Sequence, residues 1–356
     1  MEGTQGRGPG SALLKTKDFS FDLPPDLVAQ EPPETRGQSR LMVVDPRQNT
    51  WQHRTMADLA EFVDPGTLMV FNDTRVRKAR VFGETQHGGH VEVLFLRPLP
   101  DGRWECLVSR AKKLKWGQRL QLPGGVSATV ESPEGNVRTL SFSPEVTDGW
   151  LEAHGHLPLP PYIKRPDSDA DAQRYQTVYA REPGSAAAPT AGLHFTDALL
   201  ENLRTRGVEL SFVTLEVGLG TFLPVRADDV KDHKMHTERY HLSESTVSQL
   251  NRAQRESRPI LAVGTTSLRT LESAWTPEGF AAGWGATDIF ITPGYQFRAV
   301  DQLFTNFHTP ESTLLMLVCA FAGQEFLLSC YRAAVEERYK FFSYGDAMLL
   351  RNRSTT

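Results

Sequence analysis

The chain has little cysteine and no long apolar run. Its 356 residues carry three cysteines, Cys106, Cys319 and Cys330, far apart and odd in number. That argues against a disulfide framework, matches no cysteine-based zinc spacing, and fits a reducing compartment, so a cytoplasmic location is expected. The longest apolar stretch, Leu314 to Ala322, is nine residues. It is too short to span a bilayer, reads as a buried helix, and leaves no membrane partner expected. The first seventeen residues are Gly-rich and polar, with no apolar h-region. No secretory signal is read there, and residues 1–17 are expected to be a disordered extension. No internal repeat is evident, and no Walker-type lysine loop is present. Gly218 and Gly220 resemble part of a dinucleotide fingerprint, but no helix and third glycine follow. That rejects a Rossmann dehydrogenase.

What is present is ordinary soluble composition, 39% hydrophobic and 23% charged, on a chain long enough for two domains. Short runs such as Leu68–Phe71, Arg75–Gly83, Val91–Leu96, Trp104–Val108, Val126–Val130 and Val137–Phe142 recur at close spacing. Turn signals such as Gly88-Gly89 and Pro100-Asp101-Gly102 separate them. This pattern predicts a small all-β barrel over 66–149. Elsewhere strands and helices alternate: helix Asp197–Arg206, strand Val208–Val217, helix Glu244–Ser257, strand Ile260–Val263, helix Ser267–Ala274 and strand Asp288–Ile291. A helix over 311–322, with Thr309 as its cap, and a last helix over 324–341 follow. The expected fold is therefore an α/β main domain, a mixed sheet with flanking helices formed by 18–65 and 150–356, with the barrel inserted.

Charge is uneven. Between Asn72 and Leu120 stand eleven basic and five acidic residues, a net +6 within a chain of net −4. A basic module on an acidic protein points to a polyanion, with a solvated charged face as the bland alternative. The expected phosphate contacts are Arg75, Arg77, Lys78, Arg110, Lys112, Lys113 and Lys115.

Candidate chemistry collects where strands end, since ligands of open α/β sheets sit beyond the carboxyl ends of strands. The small-residue run Ala186 to Thr196 holds Thr190, Ala191, Gly192, Leu193 and His194 and feeds a helix capped by Thr196. It lets a ligand approach the backbone and offers a hydroxyl and an imidazole; a tight surface turn accounts for it about as well. Four further segments fall beyond strands: Gly218 with Gly220 and Thr221; Gly264, Thr265 and Thr266; Pro293 and Gly294; Asn306 and His308. His236 and Glu238 are candidate general bases, with a plain loop around them nearly as good a reading. Two histidines three apart, His233 and His236, match no zinc spacing, so no metal is expected. Asp73 and Asp346, beside Tyr344, are held open for reading the N1–H and N2–H₂ edge of a guanine-like base, against an Asx-turn. Arg269 is a candidate substrate contact, with simple pairing to Glu272, one helical turn away, as the structural alternative.

Several stretches resemble one family, the S-adenosylmethionine:tRNA ribosyltransferase-isomerases of queuosine biosynthesis. They include Phe71–Arg80 (FNDTRVRKAR), Leu157–Ile163 (LPLPPYI), Tyr175–Tyr179 (YQTVY), Ala188–Phe195 (APTAGLHF), Val213–Val225 (VTLEVGLGTFLPV), Ala262–Ser273 (AVGTTSLRTLES), Thr305–Leu314 (TNFHTPESTL) and Phe341–Met348 (FFSYGDAM). They keep order from Asp18 to Leu350. One departure is Glu216, where the family usually places His. The resemblance implies an α/β domain with an inserted barrel. It also implies transfer and isomerisation of the ribosyl group of S-adenosylmethionine, as co-substrate, onto 7-aminomethyl-7-deazaguanine at the tRNA wobble position, releasing adenine and methionine. On it, Thr190, Gly192, Leu193, Gly264, Thr265 and Thr266 would form the S-adenosylmethionine pocket, with His194, His236 and Glu238 for proton transfer. A monomer or weak homo-oligomer is expected. The competing readings are a metal-dependent nucleoside or nucleotide hydrolase around 233–241, and a non-catalytic RNA-binding protein.

Overall fold

The computed structural model describes residues 14–109, 114–132, 137–218 and 227–352. Nine strands make one mixed sheet. Their order is Gly283–Thr287, Glu238–Leu242, Glu209–Leu215, Leu68–Asn72, Ile260–Val263, Gln302–Asn306, Ala347–Leu350, Arg40–Asp45 and Thr50–Thr55. The central four, from Glu209–Leu215 to Gln302–Asn306, run parallel. Every residue of Leu68–Asn72, Ile260–Val263 and Gln302–Asn306 is buried, as a sheet covered on both faces requires. Alternation sends Leu68 and Val70 into one apolar layer and Met69 and Phe71 into the other. The nine-residue apolar run lies in a buried helix, Thr313–Ala322.

Six antiparallel strands close a barrel in the order Val137–Ser143, Trp104–Val108, His90–Pro98, Arg80–Thr85, Arg119–Gln121 and Ser127–Val130. Val81, Val93, Cys106, Leu120, Ala128, Val130 and Leu140 fill its interior. The large mixed sheet with flanking helices and the separate small barrel are the fold class the sequence predicts. All three cysteines are buried free thiols.

Several boundaries differ from expectation. Leu68–Asn72 lies at the centre of the large sheet, and Thr74–Val76 pairs with Glu182–Ser185 outside the barrel. A five-residue run buried on both faces belongs to a covered parallel sheet rather than to a small barrel wall. No strand forms over Asp288–Ile291. The edge strand is the preceding Gly283–Thr287, and Thr287 Oγ1 ends it by accepting the Ile289 amide at 3.2 Å. Ser312, not Thr309, caps the apolar helix, accepting from the Leu315 amide at 3.1 Å. The last helix stops at Glu336, and Arg338 turns with φ +55°. Residues 14–17 are ordered: Val230 donates to the Leu14 carbonyl at 3.1 Å, and Thr16 donates to the Asp228 carbonyl at 3.0 Å.

Candidate functional site

The carboxyl ends of the four parallel strands form one edge, and the predicted segments line it in sheet order. Glu209–Leu215 leads to Gly218, Leu68–Asn72 to Asp73, Ile260–Val263 to Gly264 and Thr265, and Gln302–Asn306 to His308. Asn306 also faces Ala347 across the sheet, so Asp346 lies at the same end.

The turn Thr190–His194 docks on this edge. Ala191 sits against Gly264, whose φ is +89° and whose missing Cβ would lie 3.4 Å from the Ala191 Cβ. Gly264 is thus required for its positive-φ backbone, while an added Cβ would meet Ala191 at ordinary contact distance. Gly192 lies on the Tyr179 ring edge, where an added Cβ would clash with the hydroxyl.

A buried hydrogen-bond chain fixes the turn. The Thr190 hydroxyl donates to Asn306 Oδ1 at 3.2 Å. Asn306 Nδ2 donates to the Phe342 carbonyl at 3.0 Å and faces His194 Nε2 at 2.9 Å. Because the Phe342 carbonyl only accepts, Nδ2 is the donor, and His194 Nε2 is an acceptor. The ring proton therefore sits on Nδ1, 2.9 Å from Ser39 Oγ. Burial, with the Arg36 charge second, lowers His194 to about 4. With both nitrogens committed and the ring neutral, His194 is a positioning residue rather than the proton carrier expected from the sequence. His308 is likewise buried, lowered to about 3, and its Nε2 meets Thr305 Oγ1 at 2.9 Å.

The carboxylates divide sharply. Glu238 is committed: the Gly218 amide donates to Oε1 at 3.0 Å, and Arg269 Nη1 binds Oε2. Both side chains of that ion pair are almost fully buried. This corrects two expectations, Glu238 as a free base and Arg269 paired with Glu272. Glu272 instead accepts from the Tyr295 hydroxyl and from the amides of Arg298, Ala299 and Val300. Asp346 takes the Arg40 amide on Oδ1 at 2.7 Å and the Lys340 amide on Oδ2 at 2.8 Å, which makes it a brace of the fold rather than a base reader. Asp73 differs. It is buried at the central strand end, and its Oδ1 accepts from the Thr214 hydroxyl at 2.8 Å. Burial raises its carboxyl above the usual range, and the nearby Glu182 adds to the rise.

The remaining candidates scatter. His236 is exposed. His233 packs on Phe290 and His241 on Trp284. Among the described residues no three His, Cys, Asp or Glu side chains converge as metal ligands. Pro293 and Gly294 belong to a turn followed by Tyr295, which reaches Glu272 on the last turn of helix Thr265–Ala274, away from its start at the strand edge. Thr265 is buried, and Thr266 Oγ1 is buried with no hydrogen-bond partner among the described residues. Tyr344 donates to Asp171 Oδ1 at 2.7 Å. Gly220 and Thr221 lie outside the described residues, as do Arg110, Lys112 and Lys113.

Arg75, beside the barrel, and Lys115 are exposed, with Trp116 next to Lys115. Arg77 and Lys78 pair with Asp148 and Glu152, each at 2.8 Å, so their charge is met locally, contrary to expectation. The acids that meet them lie 71 and 74 residues on, on helix Asp148–His154, beyond the reach of a local charge count. Sequence reasoning missed Ser39, Tyr179 and Thr214, which act through neighbours distant in sequence and carry no local signal.

Comparison with known proteins covers nearly the whole chain. The family model described as queuosine biosynthesis protein matches residues 16–350. An S-adenosylmethionine:tRNA ribosyltransferase-isomerase from Treponema denticola is 49% identical over 346 residues, 95% of this chain and 100% of the relative. One from an Azoarcus species is 52% identical, covering 95% and 97%. The crystal structure of an S-adenosylmethionine tRNA ribosyltransferase from Thermotoga maritima aligns with a TM-score of 0.55 at 36% identity, covering 94% of this chain and 99% of that one.

Proposed function

The chain belongs to the queuosine biosynthesis family of S-adenosylmethionine:tRNA ribosyltransferase-isomerases, and from that premise we propose how its crevice performs the reaction. S-adenosylmethionine is the ribosyl donor. Its ribose is joined to the aminomethyl nitrogen of 7-aminomethyl-7-deazaguanine in tRNA, giving epoxyqueuosine, with adenine and methionine released. The observation that carries the reading is the docking of Thr190–His194 onto Gly264 and Asn306. It makes one polar crevice from parts of the chain 70 to 116 residues from the turn.

Three demands follow from the chemistry. The sulfonium acidifies the ribose C5′ hydrogens, so a base must stand near that carbon, and adenine needs a proton to leave. The attacking amine must be neutral, which desolvation favours. The epoxide must be kept from water. We assign proton transfer to Asp73, because a carboxyl raised by burial holds and returns a proton closer to neutral pH than an ordinary one. The sulfonium nucleoside lies along Thr190–Leu193 and Gly264–Thr266, with the unpartnered Thr266 hydroxyl available to it. His194 holds Asn306, and Asn306 holds Thr190. Exposed Arg75 and Lys115 receive tRNA phosphate, and Trp116 offers a face for base stacking.

The assay is release of free adenine, expected only when S-adenosylmethionine and modified tRNA are both present. Release without tRNA, or none with both, defeats the reading. Asp73→Asn is expected to slow release about 10²–10⁴-fold in a protein that still folds. Near-normal turnover removes Asp73 from that role.

A further inference from the structure

We propose that Arg36 and Arg174 form an oxyanion clamp for the carboxylate at the amino-acid end of S-adenosylmethionine. The inference rests on the reading of the crevice given above and adds a subsite to it. A small concavity opens beside the Thr190–His194 turn, with Arg36, Arg174, Ser39, His194, Ser343 and Tyr344 in its lining.

Both guanidiniums are held by main-chain carbonyls. Arg36 Nη1 donates to Leu193 O at 3.3 Å and Nη2 to Gln173 O at 2.8 Å. Arg174 Nη1 donates to Glu34 O at 3.1 Å. Neither forms an ion pair among the described residues. Asp171, three residues before Arg174, is taken by Arg165 at 2.6 and 2.9 Å, by Ser168 and by Tyr344. Two cations therefore share one concave site with no ion pair to either among the described residues, and only the more distant Asp197 charge opposes Arg36, an arrangement a protein keeps at some cost in stability. Burial first, and the Arg174 charge second, lower Arg36 from its ordinary value, and an anion between them relieves both.

Two details select a carboxylate. Arg36 and Arg174 keep N–H groups beyond those given to carbonyls, and a planar guanidinium fork matches a planar carboxylate. Ser39 accepts the His194 Nδ1–H, so its own hydroxyl hydrogen remains to donate into the pocket. Position agrees as well. The Leu193 carbonyl gripped by Arg36 belongs to the same short turn whose Ala191 touches Gly264. The clamp thus stands at one end of the turn and the nucleoside segment at the other, which lays the aminobutyrate chain along it.

The test is calorimetric titration of the full-length protein with S-adenosylmethionine and with decarboxylated S-adenosylmethionine, which lacks only that carboxylate. The wild type is expected to bind the parent compound about 10–100-fold more tightly. Arg36→Gln and Arg174→Gln are expected to lose that factor for the parent and to bind the decarboxylated compound as the wild type does. Arg174 braces only Glu34 by the bonds above, so its variant reports even if Arg36→Gln loosens the turn. Equal wild-type affinity for the two compounds overturns the clamp while leaving the functional reading intact. Variants that keep full discrimination also overturn it, and so do variants that lose tRNA affinity alone, which puts an RNA phosphate in the pocket. A wild type that binds neither compound defeats the clamp and the functional reading together.

Discussion

The barrel and the strand-edge crevice handle charge in opposite ways. On the barrel, Arg77, Lys78, Arg80, Arg97 and Arg103 each lie within 3 Å of an acidic oxygen, and most of these pairs are open to water. At the crevice, Glu238 and Arg269 pair out of water, Arg36 and Arg174 form no ion pair among the described residues, and His194 is held neutral. A run of cations in a sequence is therefore a poor measure of the field a partner meets. Asp148 and Glu152, outside the span, lower the surplus counted over Asn72–Leu120 from +6 to +4, whereas two arginines in no basic run have no ion-pair partner among the described residues. Surface pairs contribute little either way, while each buried polar group must be satisfied or leave a penalty.

The largest way to test that contrast is to break the buried pair. Glu238→Gln is expected to destabilise the protein by about 3–5 kcal/mol in urea unfolding, because it strands the Arg269 guanidinium. Adding Arg269→Met should recover part of the loss. A single variant within 1 kcal/mol of wild type would mean that water reaches the pair.

Next come two glycines with positive φ. Gly264 and Gly88 have φ +89° and +74°, but an added Cβ meets Ala191 at the first and nothing within 4 Å at the second. Alanine should cost both about 1–2 kcal/mol of backbone strain. Only Gly264→Ala should slow adenine release, by more than tenfold, since its backbone strain falls where the turn that holds the nucleoside docks. Equal activities would separate the turn from the chemistry.

A third effect is the pH response of the crevice histidines. Their folded values, about 4 for His194 and about 3 for His308, lie below the ordinary 6.5. The unfolded chain therefore binds more protons between those values, and stability falls as pH drops from about 6.5 toward 4. At pH 5 the loss is about 2 kcal/mol per histidine. Asp73, Glu272 and Asp346, all raised, oppose it, since their contribution fades as pH rises. His308→Gln should flatten the acid limb of the Tm–pH curve; an unchanged limb would assign the acid sensitivity elsewhere.

The smallest effects belong to the barrel. Lys78→Ala should cost under about 1 kcal/mol and leave the salt dependence of tRNA binding alone. Lys115→Ala should reduce the log–log salt slope by about 0.7–0.9. A reversed order would show that the Glu152 pair opens on RNA.

Much of the fold was legible. Ile260–Val263 matches its predicted span because an all-apolar run bounded by Pro259 and Gly264 has few alternatives. The barrel strands from Arg80 to Ser143 carry alternation and turn glycines that mark them. Leu68–Asn72 was misplaced because the same apolar run fits either a barrel wall or a central strand, and only its neighbours decide. The strand-end positions of Gly264, Thr190 and Asn306, which the fold brings to one edge, were legible because strand ends with small or polar residues are recognisable. Arg36 and Arg174 were not, since nothing local distinguishes an arginine without an acidic partner from a paired one.

The sequence alone determined the periodicities, the glycines and caps, the α/β-plus-barrel class and the family. Those depend on neighbours a few residues apart or on long ordered matches. Tertiary structure decided which polar atoms meet: Asn306 with His194 and Thr190, Arg269 with Glu238 rather than Glu272, and Arg36 beside Arg174. Protonation, tautomer and free charge are set by what lies within a few ångströms in space, and that distance is not written along the chain.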